Sequence, residues 1–183
     1  MAAWRALFDG VPPVGYLIRS AHLEHWIRFH TLPRNMRVPK SPMTKQAVLN
    51  RLNRVAENVF QAAEEVSVVM VVFDPEDAVL RMAQRHELGQ VTLVPKDWLS
   101  ALNEYVDISQ MTVWAGATKW VSRCIDDLFL AAACSEIGSL TVFASKHIRA
   151  MCPYDGGVDL IVANPRTRKD LRQRFRSWLP SAT

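Results

Sequence analysis

The sequence predicts an α+β fold, and three observations carry that expectation. Apolar runs of strand length alternate with segments of helical periodicity, three strand-like runs follow one another in the last third of the chain, and proline follows a capping residue at Ser41-Pro42, Asp74-Pro75 and Asn164-Pro165. A chain of 183 residues buries roughly 70% of the surface its unfolded form exposes. One domain over residues 1–183 is expected, with a mixed or antiparallel sheet, a C-terminal β-meander and helices packed on it. No internal repeat, low-complexity segment or interdomain linker interrupts it.

Residues 16–20 and 26–32 read as two short strands in a hairpin, because Trp26, Arg28, His30 and Leu32 alternate with Ile27, Phe29 and Thr31. Residues 33–42 hold three prolines and three cationic side chains, which excludes regular structure and leaves a basic loop. Ser41 then caps a helix that starts at Pro42, buries Val48, Leu52, Val55 and Val59, and runs to about Ala63. The β-branched run 66–73 has the character of a central strand covered on both faces. Residues 75–86 and 95–105 read as helices, 90–94 as a strand, and 111–114 as a strand broken by Gly116.

The spacing of Val121, Cys124, Ile125, Leu128 and Ala132 predicts one helix over 119–137, closed by Gly138 in the C′ position. Strands at 140–144, 148–152 and 159–163 complete the meander. Asn164 caps a last helix that buries Leu171, Phe175, Trp178 and Leu179 and leaves Arg166, Arg168, Lys169, Arg172, Arg174 and Arg176 outside.

Charge is unevenly distributed within the net +4. Residues 1–54 carry nine Lys/Arg against Asp9 and Glu24, residues 57–107 carry ten Asp/Glu against three Lys/Arg, and residues 165–183 carry six Lys/Arg against Asp170. Such segments suit an acidic partner, a nucleic-acid backbone or self-association, or else form solvated helix faces. No apolar run approaches the ~18 residues that a membrane span needs. The first residues lack the ordered regions of a signal peptide, and Cys124, Cys134 and Cys152 form no CxxC pair. The cytoplasm is the compartment these features predict.

The richest stretch is Cys152-Pro153-Tyr154-Asp155-Gly156-Gly157-Val158-Asp159, a specified turn feeding an apolar strand and carrying two carboxylates. Two readings stand. Asp155 caps its own turn and Asp159 braces an amide or an arginine; alternatively the pair holds a divalent metal in a hydrolase or nuclease, although Asp159-Leu160-Ile161 lacks the lysine of an Asp-x-Lys motif. Trp26, Arg28 and His30 share one strand face, as an exposed binding row or as core with Arg28 snorkelling outward. His22, His25 and His30 sit in no HExxH helix, and phosphate-cradling GxxxxGK[ST], GxGxxG and nucleophile-elbow GxSxG motifs do not occur. Cys152 precedes a proline in a poor context for a nucleophile.

Two blocks carry a resemblance: Gly15-Tyr16-Leu17-Ile18-Arg19 leading to Arg28-Phe29-His30-Thr31-Leu32-Pro33, and Pro153-Tyr154-Asp155-Gly156-Gly157-Val158-Asp159 with the ending Ser177-Trp178-Leu179. They resemble a family of small, uncharacterised bacterial proteins with an RFH-LP segment, a PYDGG-D turn and a terminal WL. The likeness covers both ends of the chain and fades across residues 64–118. It implies no activity, but proteins of this kind are associated with immunity to polymorphic toxins. The expectation is therefore a non-enzymatic cytoplasmic binding protein, an immunity protein that occludes a toxin's active site, with a protein partner and no catalytic residue, metal or cofactor. Its partner-binding candidates are Trp26, Arg28, His30, Arg34, Arg37, Tyr154, Asp155 and Asp159. The alternatives are a metal-dependent hydrolase or nuclease using Asp155 and Asp159, and a nucleic-acid binder using the basic C-terminal helix.

Overall fold

The nine-residue run Glu65–Phe73 is the strand around which the sheet is built, paired on both sides along most of its length. The structure is a computed structural model that describes residues 2–33, 36–73, 76–91, 111–144, 146 and 148–180. Seven described strands, β1 (Trp26–His30), β2 (Glu65–Phe73), β3 (Gly89–Gln90), β4 (Met111–Lys119), β5 (Ser139–Ala144), β6 (Arg149–Tyr154) and β7 (Gly157–Val162), join in the order β1-β7-β6-β5-β2-β4-β3. Every neighbouring pair is antiparallel. The α+β class and the C-terminal meander β5-β6-β7 are as the sequence predicts.

Helices cover both faces, so the period-two alternation of the central strands is apolar on each side. Against one face lie α3 (Pro42–Val59), α5 (Asp126–Ala133) and α6 (Pro165–Arg174), which bury Leu52, Val55, Phe129 and Leu171 on Val68, Met70, Val142 and Leu160. Against the other lie α1 (Ala2–Leu7) and α2 (Gly15–Ala21), where Trp4, Phe8 and Ile18 meet Val69, Phe143, Ala150 and Ile161. Trp4 stacks on Phe8 at 4.1 Å between centroids and donates its indole N–H to Val11 O at 2.6 Å. α4 (Asp77–Arg85) packs at the far edge through Val79 and Ala83.

Caps fix the helix starts as read from the sequence. Ser41 Oγ accepts from Thr44 N while Thr44 Oγ1 accepts from Ser41 N, a reciprocal capping box ahead of Pro42. Asn164 Oδ1 accepts from the backbone of Arg166 and Thr167 ahead of α6. At the sheet edge, Arg51 and Arg172 donate to the carbonyls of His30 and Trp26, at 3.1 and 3.4 Å, covering an edge that would otherwise offer bare acceptors.

Several expectations are corrected. Residues 16–20 are helix α2, not a strand: Leu17 and Ile18 bond back to Val14 O, and Ile18 seals the N-terminal cluster. No hairpin joins them to β1, which pairs instead with β7. β4 passes through Gly116 to Lys119, because the missing side chain lets Leu88 and Glu87 O approach; an added Cβ would lie 2.9 and 3.2 Å from them. The helix expected over 119–137 is therefore only Asp126–Ala133, preceded by a turn in which Arg123 takes φ 70° and Val121 points to solvent at 60% exposure.

Helix α5 ends on Ser135 at φ 59°, and Gly138 serves a different need, since any Cβ there would overlap the Phe73 ring. α3 stops at Val59, four residues early, with Ala63 at φ 60°. Asp126 and Asp127 are half-buried in the first turn of α5. Asp127 takes His86 Nε2 at 2.6 Å and Arg85 at 2.8 Å, tying α4 to α5. The helix expected at 95–105, most of the strand expected at 90–94 and the Asp74-Pro75 start lie outside the described residues.

Candidate functional site

A concave site arises where two strands of the meander part. β5 and β6 pair only from Val142↔Met151 to Ala144↔Arg149. Beyond that point Pro153 has no N–H with which to continue the ladder. Thr141 turns its hydroxyl to Pro13 O at 2.9 Å and lies 3.6 Å from Cys152 Sγ. The gap opens into a cavity of about 430 Å³, walled by Gly15, Tyr16, Ser139, Cys152, Tyr154 and Asp159 among others. Gly15 is required where α2 begins, since a Cβ there would stand 3.0 Å from Cys152 Cβ.

Arg28 and Asp159 meet at one wall because β1 and β7 pair in the register Arg28↔Asp159, which puts both side chains on one face. Arg28 Nε donates to Asp159 Oδ1 at 2.7 Å and Nη2 to Oδ2 at 2.8 Å. The carboxylate side chain is 5% exposed and the guanidinium side chain 27%. This charge-assisted fork raises the Arg28 pKa against the opposing effect of burial. The same guanidinium lies 5.2 Å from the Trp26 ring centroid and 5.0 Å from that of Tyr154, with Arg19 at 5.6 Å from Trp26. Burial, followed by the nearby Asp159 charge, pushes the Tyr154 hydroxyl up to about 12.

The hairpin Tyr154–Gly157 carries a second pair. Gly156 takes φ 92°, a conformation that favours glycine. Gly157 is needed for proximity instead: a Cβ there would stand 2.6 Å from Tyr154 Oη and 2.7 Å from Phe29 O. Asp155 does not cap its own turn. It accepts from Arg37 Nη2 at 3.1 Å and pairs with Nε at 2.9 Å, across the surface from the basic loop.

The structure thus brings Arg28, Tyr154, Asp155 and Asp159 to one cavity and sets Arg37 and His30 beside it, in an adjoining recess of about 290 Å³. Trp26 stands behind them, half-buried against the N-terminal cluster, as the platform under Arg28. The two readings of the Trp26–Arg28–His30 row resolve into a mixture: one ring packed, one cation held by a carboxylate, one histidine at the rim. Arg34 lies outside the described residues. Sequence reading missed Arg19, because residues 16–20 look like a strand, and missed the roles of Gly15 and Thr141. The signal for Thr141 was a polar residue at an apolar strand's centre.

Chemically, both carboxylates are committed to guanidinium groups, which leaves neither as a bare base or metal ligand. Among the described residues no three His, Cys, Asp or Glu side chains are grouped to hold a metal ion. The Cys152 thiol is buried and its pKa is pushed up to about 12 by that burial, the opposite of nucleophile activation. On the C-terminal helix, Arg168 donates to Val162 O, Arg172 to Trp26 O and Arg174 to Asn58, so three of its cations brace the fold. None of the described helices is long and apolar enough to cross a membrane.

No curated protein and no solved structure matches the chain. Residues 14–182, which span the cavity, the ion pairs and the whole meander, match the family described as a domain of unknown function (DUF3885), and the chain belongs to that family.

Proposed function

We propose that this chain is a non-enzymatic cytoplasmic binding protein, an immunity protein that neutralises a cognate bacterial toxin by covering its active site. The observation that carries the reading is the layered cluster of Arg28 between Trp26 and Tyr154, closed by the Asp159 fork. Arg, Trp and Tyr supply much of the energy at protein interfaces, and here they are held rigid before a partner arrives. The carboxylates that an enzyme would need are spent on holding those arginines. Arg37 at the rim would steer an acidic partner toward the site.

Co-expression with a toxin encoded beside the gene tests the reading. Growth is rescued and the two chains co-elute on size exclusion, while Tyr154→Ala weakens the complex by about tenfold or more, as truncation of an anchor residue does. A toxin neighbour whose toxicity persists, with no complex formed, refutes it.

A further inference from the structure

The cavity beside Arg28 does not end at the hairpin. It shares Arg28, Tyr154 and Asp155 with the adjoining recess of about 290 Å³, and that recess shares Met36 and Arg37 with a third of about 410 Å³ that reaches Val38, Lys40 and Thr44. Resting on the reading of this site as a partner surface, we infer that the three form one docking groove for an acidic segment of the partner that carries apolar side chains.

Charge argues for the acidic occupant. Arg28, Arg37 and Lys40 line the groove, whereas Asp155 and Asp159 are each already held by an arginine. Arg28 uses Nε and Nη2 for its fork, and Arg37 donates Nη2 to Asp155 Oδ1 with its Nε 2.9 Å from Oδ2 in the same ion pair. Among the described residues Nη1 of each makes no hydrogen bond, so a donor of known direction is left for a partner carboxylate. The Arg37 side chain is 73% exposed, so its guanidinium stays open to a partner carboxylate while Asp155 keeps its pair.

The lining argues for the apolar side chains. Met36 and Val38 are exposed in the third recess, and Met43 is exposed just beyond them on the first turn of α3. Methionine adapts to varied apolar shapes. A single-stranded nucleic acid fits less well, since bases need open ring faces on which to stack. The Trp26 and Tyr154 rings are instead engaged by Arg28 and, at Trp26, by Arg19.

Fluorescence anisotropy on the purified full chain tests the inference. The probe is a labelled, proline-punctuated Glu/Leu peptide; the controls are the same peptide with Ser for Leu, the same with Lys for Glu, and a single-stranded DNA. The expected result is saturable, salt-weakened binding of the Glu/Leu peptide, reduced about tenfold by Arg37→Glu and by Val38→Asp, with neither variant altering the circular dichroism spectrum. Absence of binding, equal binding of the Ser control or the DNA, or affinity unchanged in both variants overturns it. The two proposals fail separately. A toxin that binds wild type and Arg37→Glu equally well overturns the groove and leaves docking at Arg28 and Tyr154 intact. A peptide that binds as expected to a chain that neutralises no toxin leaves the groove and overturns the immunity role.

Discussion

Removing either member of the Arg28–Asp159 pair should destabilise the fold, and by unequal amounts. In Arg28→Ala the carboxylate loses both members of its fork, at 2.7 and 2.8 Å, while its side chain is only 5% exposed. Stranding a buried charge in this way costs about 3–5 kcal/mol. The neighbouring cavity of about 430 Å³ can admit water to Asp159, which places the expected loss at the lower end, about 3 kcal/mol. In Asp159→Ala the stranded group is a guanidinium whose side chain is 27% exposed and which keeps its contacts with the Trp26 and Tyr154 rings. Those contacts are worth about 0.5–2 kcal/mol, and partial hydration offsets more, so the loss should be about 1–2 kcal/mol.

Urea unfolding at constant pH, followed by circular dichroism, reads both losses as shifts in midpoint at unchanged m-value. The double variant strands neither charge and should cost less than the sum of the two, with a coupling of about 1–3 kcal/mol. If Asp159→Ala costs as much as Arg28→Ala, the argument from unequal exposure is wrong. A coupling below about 0.5 kcal/mol would show that the two groups act independently despite their geometry.

Two further outcomes follow from the same wall. Gly157→Ala would place a Cβ 2.6 Å from Tyr154 Oη and 2.7 Å from Phe29 O, so overpacking should cost about 1–3 kcal/mol and lower the melting temperature; a variant as stable as wild type would mean the hairpin relaxes freely. Alkali should destabilise the fold through Tyr154, whose pKa rises from 10.0 to about 12 on folding. Below 10 its contribution is fully present, between 10 and 12 the native state binds more protons than the unfolded one, and stability falls as the pH climbs. Ultraviolet difference titration of tyrosinate should show one late-titrating group that Tyr154→Phe removes; a titration unchanged by that substitution would contradict the burial argument.

How much of this was legible in the sequence depended on whether a signal was local. The capping box at Ser41 and the Asn164 cap needed only neighbours in the chain, and both stand as read. The run 66–73 announced a strand covered on both faces, because buried β-branched residues on both parities have no other economical arrangement. Residues 16–20 failed because five residues with Tyr, Leu and Ile fit either period, and the contact that decides, Ile18 against Trp4 and Phe8, comes from another segment. Gly116 and Gly138 misled for a related reason. Each looked like local punctuation, yet each makes room for a distant side chain, Leu88 in one case and Phe73 in the other. At the site, the two carboxylates were visible as a pair, but their partners lie 131 and 118 residues away and only the β1–β7 register and the path of the basic loop bring them together.

That separation bears on what the site is for. The PYDGG-D segment looks like a catalytic loop when read alone, because turns that present carboxylates often hold metals or protons. In the folded chain it is the fixed jaw of a clamp whose other jaw is β1 and the loop after it. Asp159 anchors Arg28, Asp155 anchors Arg37, and Gly157 lets the Tyr154 ring lie flat enough to back the first of these. Pro153 adds the opening, because a strand without that N–H cannot zip up to β5. Substituting Pro153→Val tests whether the parting of β5 and β6 is built in at this residue. With an N–H restored, and with β propensity kept, the ladder should extend past Val142↔Met151, and the new amide at residue 153 should exchange slowly, as a paired ladder amide does. Binding of the Glu/Leu peptide should weaken with it as the cavity closes. Fast exchange at that amide, as for an unpaired N–H, would instead place the cause of the gap in Thr141 and its bond to Pro13, which Thr141→Val would then abolish.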